Sequence, residues 1–179
     1  MATKANIVKA NLSVANLDLN HYQDYRLTLA QHPSETGTRL MIRLAAFSWF
    51  AQEEPSFTKG LCVEDEPDLW VHDLQGNIQH WIELGQPTEK RIRQAASKAE
   101  QVSVIGYHPH KFKTWLAGLD PKTLNQKKLS ILLFENQGPA DPEELAEKAI
   151  DLNVTIQENQ VLLTTQTHQL TYQVTLIGA

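Results

Sequence analysis

Hydrophobic and polar residues alternate at both ends of the chain. Near the N-terminus the alternating apolar positions form two runs, Val8, Ala10, Leu12 and Val14, then Tyr25, Leu27 and Leu29. Period-two alternation is typical of strands with one buried face, so these runs predict an antiparallel pair joined by residues 17–21. Residues 154–176 alternate in the same way around a turn at residues 158 and 159, and they predict a β-meander.

The middle of the chain mixes helical and strand patterns. Helical spacing predicts a helix over residues 35–53, with Ser34 as its cap and Glu35 in the first turn, and a second over 88–100. Short strand candidates at 59–64, 69–73 and 78–85 separate the two helices, and an apolar run at 102–107 follows. The order αβββαβ predicts a single α/β domain, residues 1–179, with a mixed sheet and additional N- and C-terminal strands.

Composition and length are those of an ordinary globular domain. The 179 residues are 41% hydrophobic and 21% charged. No apolar run is long enough to span a membrane, and the first residues lack the apolar segment of a signal peptide. Cys62 is the single cysteine, so no internal disulfide can form. We therefore expect a cytoplasmic protein without a membrane partner.

Carboxylates are concentrated between residues 53 and 83, a segment that contains eight acidic residues and a single basic one, Lys59. Neighbouring carboxylates repel one another unless a cation or a base offsets them. Alternation places Glu83 beside Trp81 on one face of the 78–85 strand, and a buried Glu83 would need a metal, a base or a hydrogen bond. The alternative is a surface edge strand with Glu83 in water.

Basic residues are concentrated further along. The net charge of −5 argues against nucleic-acid binding by bulk charge, yet residues 88–128 contain nine basic residues against three acidic ones. Within this segment Arg91 falls in the first turn of the second helix, close to the carboxyl end of the Glu83 strand. An acidic centre beside a basic flank suits a phosphate-handling site, although an ordinary uneven surface charge would give the same pattern.

Five short motifs together resemble the YaeQ family of bacterial proteins. They are His32-Pro-Ser-Glu-Thr36, Lys59-Gly-Leu-Cys62, Asp65-Glu-Pro-Asp68, Trp81-Ile-Glu-Leu-Gly85 and Arg91-Ile92. That family is similar in fold to the PD-(D/E)XK, or restriction-endonuclease-like, nucleases. The resemblance matches Asp68 to the PD element and Glu83 to the first acid of (D/E)XK. The lysine expected two residues after that acid is replaced by Gly85.

The resemblance implies a site and a chemistry. Asp68, Glu83 and the Leu84 carbonyl would hold Mg²⁺ or Mn²⁺, an ion that polarises a scissile phosphate and activates water. Glu35 would reach the same site, although its position near a helix start also suits a simple dipole role. Arg91 would act as a phosphate clamp in place of the absent lysine, with Lys90 and Arg93 binding substrate behind it.

The leading hypothesis is therefore a metal-dependent nuclease with a variant site. The alternative is a catalytically inactive nuclease-fold protein that binds nucleic acid or protein, which Gly85 and the acidic net charge favour. A third hypothesis makes the acidic segment purely structural, and it requires Glu83 to pair with a base instead of a metal.

Overall fold

One mixed sheet of ten strands dominates the computed structural model, which describes residues 4–59 and 63–177. The strands are β1 (Asn6–Asn16), β2 (His21–Gln31), β3 (Ser56–Phe57), β4 (Leu69–His72), β5 (Ile78–Leu84), β6 (Ala99–Gly106), β7 (Leu129–Asn136), β8 (Ala149–Gln157), β9 (Gln160–Thr164) and β10 (Gln169–Ile177). Their order across the sheet is β2-β1-β8-β9-β10-β7-β6-β5-β4-β3. The expected mixed α/β architecture is confirmed.

Within the described ranges, four helices connect these strands. They are α1 (Gly37–Trp49), α2 (Glu89–Lys98), α3 (Pro109–Ala117) and α4 (Pro121–Leu124), with short 3₁₀ turns at Ala51–Glu53 and Pro142–Leu145. The order α1, β3, β4, β5, α2, β6 reproduces the αβββαβ order that periodicity predicts.

The alternating segments at the two ends of the chain meet in the sheet. β1 and β2 form the expected antiparallel pair, and β8, β9 and β10 form the expected meander. Glu158 and Asn159 occupy the turn between β8 and β9 with positive φ angles of 50° and 62°. β1 also pairs in parallel with β8, so the terminal strands extend a single sheet.

Helix α1 is enclosed by the sheet. Ten of its thirteen residues are buried, as expected for a helix that is apolar almost all round. Phe47 contacts both edges of the sheet: its ring lies 5.1 Å from Tyr25 on β2 and 5.3 Å from Phe57 on β3. The sheet therefore curls around α1, and the main hydrophobic core fills the space between them.

Helices α2 and α3 cover the opposite face of the parallel strands β5, β6 and β7. Ala95 of α2 packs with Trp81 of β5, and Phe112 of α3 packs with Ile131 and Leu133 of β7. Both faces of these strands are therefore buried, which is usual for parallel strands.

The start of α1 differs from the prediction. The helix begins at Gly37 and its cap is Thr36, whose side chain accepts a hydrogen bond from the Arg39 N–H, so Glu35 precedes the first turn. Ser34 is occupied elsewhere, because it bonds to the ring of His32 in a separate turn. The helix also ends at Trp49 instead of residue 53, and a 3₁₀ turn follows it.

Residues 60–62 of the strand expected at 59–64 lie outside the described residues. The structure places β3 before them, at Ser56–Phe57, and residues 63–67 form a bend after them. Cys62 lies outside the described residues. Within the described ranges, no helix is both long and apolar enough to cross a membrane.

Candidate functional site

Strand β5 carries the centre of the candidate site. Trp81 packs against α2, whereas Ile82 and Leu84 belong to the main core around α1. The strand lies between β4 and β6, and Glu83 is only 9% exposed. The surface-edge interpretation of this strand is therefore wrong, because β5 is an interior strand with both faces covered.

Asp68, the residue before β4, is held in place by bonds to β5 and to Arg39 of α1. Its backbone N–H donates to the Ile82 carbonyl at 3.1 Å. Its Oδ2 accepts from the Leu84 N–H at 2.8 Å, and its Oδ1 accepts from Arg39 Nη2 at 2.6 Å. Asp68 is 3% exposed, so these bonds hold its side chain in an almost dry position.

Glu83 has two protein donors of its own. Its Oε2 accepts from the indole Nε1 of Trp81 at 2.9 Å, and its Oε1 accepts from Arg91 Nε at 2.7 Å. Burial raises the pKa of Glu83 and the charge of Asp68 adds to that rise, while the bonds from Arg91 and Trp81 oppose it. The net direction is upward, because burial is the largest cause.

Arg91 joins the acidic bend to the sheet. It lies in the first turn of α2, which follows β5 after four residues and returns beside its carboxyl end. Besides Glu83, its guanidinium donates to the backbone carbonyl of Glu64 and to that of Glu66, the latter at 2.7 Å. The same group lies 5.9 Å from the Trp81 ring. Arg91 therefore positions the bend over the strand as well as balancing Glu83.

Asp68 and Glu83 both line one small cavity of about 210 Å³. Arg39 and Arg91 complete its charged wall, and the bend from Val63 to Pro67 supplies the rest. The two carboxylates that the family resemblance pairs thus converge on a common space. Each is also paired with an arginine, so the site contains two adjacent ion pairs instead of two free carboxylates.

Glu35 lies behind this cavity. Arg39 bridges it to Asp68, donating to Glu35 Oε1 at 3.0 Å. Arg43 Nη1 donates to Glu35 Oε2, also at 3.0 Å, and to the carbonyl of Ala30. The Arg43 side chain is fully buried, and that burial lowers its pKa. Glu35 therefore pairs with both arginines of α1, and Asp68 supplies the second negative charge.

The remaining expected site residues fall in different places. Lys90 is exposed on α2, and Arg93 is exposed and bridged to Glu89 at 3.1 Å. Neither lines the cavity of Asp68 and Glu83. At Leu84 the backbone N–H, not the expected carbonyl, is the group seen in contact with Asp68.

Arg39 and Arg43 are the functional-site residues that sequence reasoning missed. A signal was present, since Arg43 follows Arg39 by four residues, and such spacing aligns side chains along one helix face. Tyr107 belongs to the same cluster: burial raises its pKa, and neighbouring Arg39 acts in the opposite direction. Its position at the end of an apolar run gave no sign of this contact.

The absence of a lysine at Gly85 has a backbone explanation. Gly85 has a φ of +96°, a conformation that side-chain-bearing L-residues rarely adopt. Any lysine here would strain the chain, although a Cβ would meet no atom within 4 Å. The cation beside Glu83 comes from α2 instead, as Arg91.

The donors present fit a hard cation only in part. Mg²⁺ commonly takes one or two carboxylates and keeps several waters, which Asp68 and Glu83 could satisfy. Across residues 4–59 and 63–177, however, no three His, Cys, Asp or Glu side chains are grouped as metal ligands. A cation would therefore compete with Arg39 and Arg91 for the two carboxylates.

Comparison with known proteins gives matches over almost the whole chain. Residues 1–174 match the family model described as YaeQ protein. The YaeQ proteins of Escherichia coli (strain K12) and Salmonella typhi are 37% and 38% identical over 175 residues, covering 98% of this chain and 97% of each relative. The names of these relatives state no activity or ligand.

Two crystal structures share the fold. The YaeQ protein from Xanthomonas axonopodis pv. citri gives a TM-score of 0.91 at 34% identity, covering 98% of this chain and 99% of that one. The YaeQ protein from Pseudomonas syringae gives 0.87 at 30% identity, covering 98% and 97%.

Proposed function

The chain belongs to the YaeQ family, and on that premise we propose that it is a metal-dependent nuclease with a restriction-endonuclease-like fold and a variant site. The observation that carries the proposal is the convergence of Asp68 and Glu83 on one cavity beside Arg91. The αβββαβ order of elements supports the fold assignment.

In this proposal Asp68 and Glu83 hold Mg²⁺ or Mn²⁺, which when bound supplies Lewis-acid activation of a phosphodiester and of water. The charge of Asp68 raises the pKa of Glu83, and a divalent cation would relieve that repulsion. Glu35 acts by positioning Arg39, not by binding the metal.

Arg91 takes two roles. Without a divalent cation it forms an ion pair with Glu83 and holds the bend in place by donating hydrogen bonds to the carbonyls of Glu64 and Glu66. With the cation present, its guanidinium is freed to bind a phosphate oxygen, for which its planar fork is well suited. Lys90 and Arg93, exposed on the same helix, extend this positive surface toward a nucleic-acid backbone.

A second candidate is a catalytically inactive fold that binds nucleic acid or protein. The observation that favours it is that all four oxygens of Asp68 and Glu83 already accept a protein hydrogen bond. In that case the two ion pairs are permanent, and the surface of α2 rather than the cavity meets the partner.

Calorimetric titration with Mn²⁺ separates the two candidates. The nuclease proposal predicts saturable binding to the wild type, lost in Asp68→Asn and in Glu83→Gln. Asp65→Asn is the matched control, because Asp65 lies on the same bend with a 77% exposed side chain and pairs with Lys98. Its binding should equal that of the wild type.

A cleavage assay on single- and double-stranded DNA and RNA then tests turnover. We expect cleavage that requires Mn²⁺ or Mg²⁺, disappears in Glu83→Gln and survives in Asp65→Asn. Binding of nucleic acid that persists in a chelator, without turnover and without Mn²⁺ uptake, would favour the inactive binding protein. Cleavage that persists in Glu83→Gln would contradict the assignment of the site.

A further inference from the structure

A second cavity, of about 390 Å³, lies toward the amino ends of the parallel strands β5, β6 and β7. It opens on the α1 side of the sheet, where Trp49 and Phe50 form one wall. None of its lining residues belongs to the cavity of Asp68 and Glu83. It is therefore a separate place in the fold.

Three side chains from three segments form a line of hydrogen bonds along this cavity. Glu53 ends the 3₁₀ turn after α1, His80 lies on β5, and Ser103 lies on β6. His80 Nε2 lies 2.8 Å from Ser103 Oγ, and His80 Nδ1 lies 2.7 Å from Glu53 Oε2. All three residues line the cavity.

The carboxylate decides the tautomer of the histidine. A carboxylate oxygen of Glu53 accepts the hydrogen bond from the ring, so the proton of that bond lies on His80 Nδ1. Nε2 is then an acceptor, and the hydroxyl of Ser103 must donate to it. This is the arrangement in which a ring nitrogen receives the proton of an attacking serine.

Packing fixes the orientation of the ring. His80 is 4% exposed and Ser103 is 3% exposed. The ring of Phe50 meets the imidazole edge-on, with 4.9 Å between centroids and a 78° angle. The Glu53 side chain is 42% exposed, so it reaches the imidazole from the solvent side.

The other walls indicate what would fit. Leu132 and Val174 continue the apolar surface of Trp49, and Lys127 and Lys128 supply positive charge. Gln101 shares the face of β6 with Ser103, two residues before it, and its amide is a further N–H donor in the cavity. Donors of this kind stabilise negative charge on a carbonyl oxygen under attack.

From this arrangement the geometry points to Ser103 as a nucleophile, activated by His80 and Glu53, that hydrolyses carboxylic esters with an aliphatic acyl chain and an anionic group. This activity does not rest on the proposed nuclease, since the two cavities share no lining residue.

The steps balance with water as the co-reactant. Ser103 Oγ forms a bond to the ester carbonyl carbon, and its proton moves to His80 Nε2. The bond from carbon to the leaving alkoxide breaks, and Nε2 returns the proton to give the alcohol. Water then attacks the acyl-serine, losing a proton to Nε2, and the carboxylic acid leaves as Ser103 regains its proton.

Labelling of the full-length protein with a fluorophosphonate probe tests the assignment, because the probe bonds to activated serines with loss of fluoride. We expect mass spectrometry to locate the label on Ser103, and Ser103→Ala to abolish it. Glu53→Gln and His80→Gln should slow labelling, the latter by about 100-fold, as expected for loss of a general base. Hydrolysis of p-nitrophenyl butyrate should fall in parallel.

Two variants serve as controls. Ser130→Ala changes a serine of the same cavity outside the hydrogen-bonded line, and Asp65→Asn changes an exposed side chain that does not line this cavity. Both should label as the wild type does. Because Glu53 is partly exposed, Glu53→Gln tests the idea even if His80→Gln fails to fold. Wild type without label on Ser103, or an unchanged labelling rate in Glu53→Gln, would overturn the assignment.

Discussion

The strongest prediction for stability concerns Glu35, which we interpret as the charge that makes two arginines on α1 tolerable. The perturbation is Glu35→Gln, which keeps the size of the side chain and removes its charge. Arg43 would then be a fully buried guanidinium that has lost its ion-pair partner. Its Nε and Nη2 already have no hydrogen-bond partner among the described residues. Arg39 would keep its bond to Asp68.

The magnitude follows from that burial. Removing one partner of a buried ion pair typically costs about 3–5 kcal/mol, because the remaining charge is left without compensation. The Glu35 side chain is 2% exposed and that of Arg43 is 0% exposed, so solvent offers little relief. A loss of this size is a large part of the about 5–15 kcal/mol by which domains are usually stable.

Urea unfolding followed by tryptophan fluorescence measures the effect, with the slope m checked for two-state behaviour. Glu135→Gln, on an exposed position of β7, is the control and should leave the midpoint unchanged. The double variant Glu35→Gln/Arg43→Met should recover part of the loss, since replacing both partners by uncharged groups is far less costly. A loss below about 1 kcal/mol in Glu35→Gln would refute the reasoning.

Three further predictions follow from individual contacts. Tyr172→Phe should leave stability unchanged or raise it by about 1 kcal/mol in urea unfolding, because the buried hydroxyl has no hydrogen-bond partner among the described residues; a clear loss would contradict this. Glu143 accepts the N–H groups of Gly37 and Thr38, and the bond from Thr38 lowers its pKa below the ordinary 4.5. Its stabilisation is therefore present above pH 4.5 and lost as pH falls through the lowered pKa, so the difference between wild type and Glu143→Gln should vanish in acid unfolding curves. Gly85→Ala should cost about 1–3 kcal/mol from backbone strain alone, and an unchanged melting temperature would contradict the strained φ.

Alternation predicted the terminal strands well for a physical reason. β1 and β8 each have one face in the main core. Because successive side chains of a strand point to opposite faces, burying one face requires an apolar residue at every second position. Their parallel pairing with each other could not be predicted, because it joins residues such as Leu12 and Leu152 that are far apart in the chain. The strand order of the sheet is a property of tertiary packing.

The start of α1 shows the limit of local signals. Ser34 and Thr36 are both good caps, but Ser34 bonds to the His32 ring, and Glu143 accepts the first N–H groups of a helix capped by Thr36. The burial of Arg43 was equally hidden, since a charged residue on a helix is normally exposed. It is buried because the sheet closes over both sides of α1 and Glu35 supplies the opposite charge.

At the candidate site, the sequence predicted which residues lie close together better than it predicted which groups form hydrogen bonds and ion pairs. The family resemblance implied that Asp68 and Glu83 share a site, and the short connection to α2 predicted Arg91 beside Glu83. The donors from Arg39, Trp81 and the Leu84 amide depend on side-chain directions across three elements, which no local pattern encodes. Mg²⁺ or Mn²⁺ binding and nuclease activity stay predictions.

The central claim is that Asp68 and Glu83 form one site for a divalent cation. A crystal grown with Mn²⁺ and measured at the manganese edge tests it most directly. The account predicts an anomalous peak within coordination distance of an oxygen from each carboxylate, about 2.0–2.3 Å, with Arg91 turned away from Glu83. A map without a peak between them, and with the Arg39–Asp68 and Arg91–Glu83 pairs intact at saturating Mn²⁺, would contradict it.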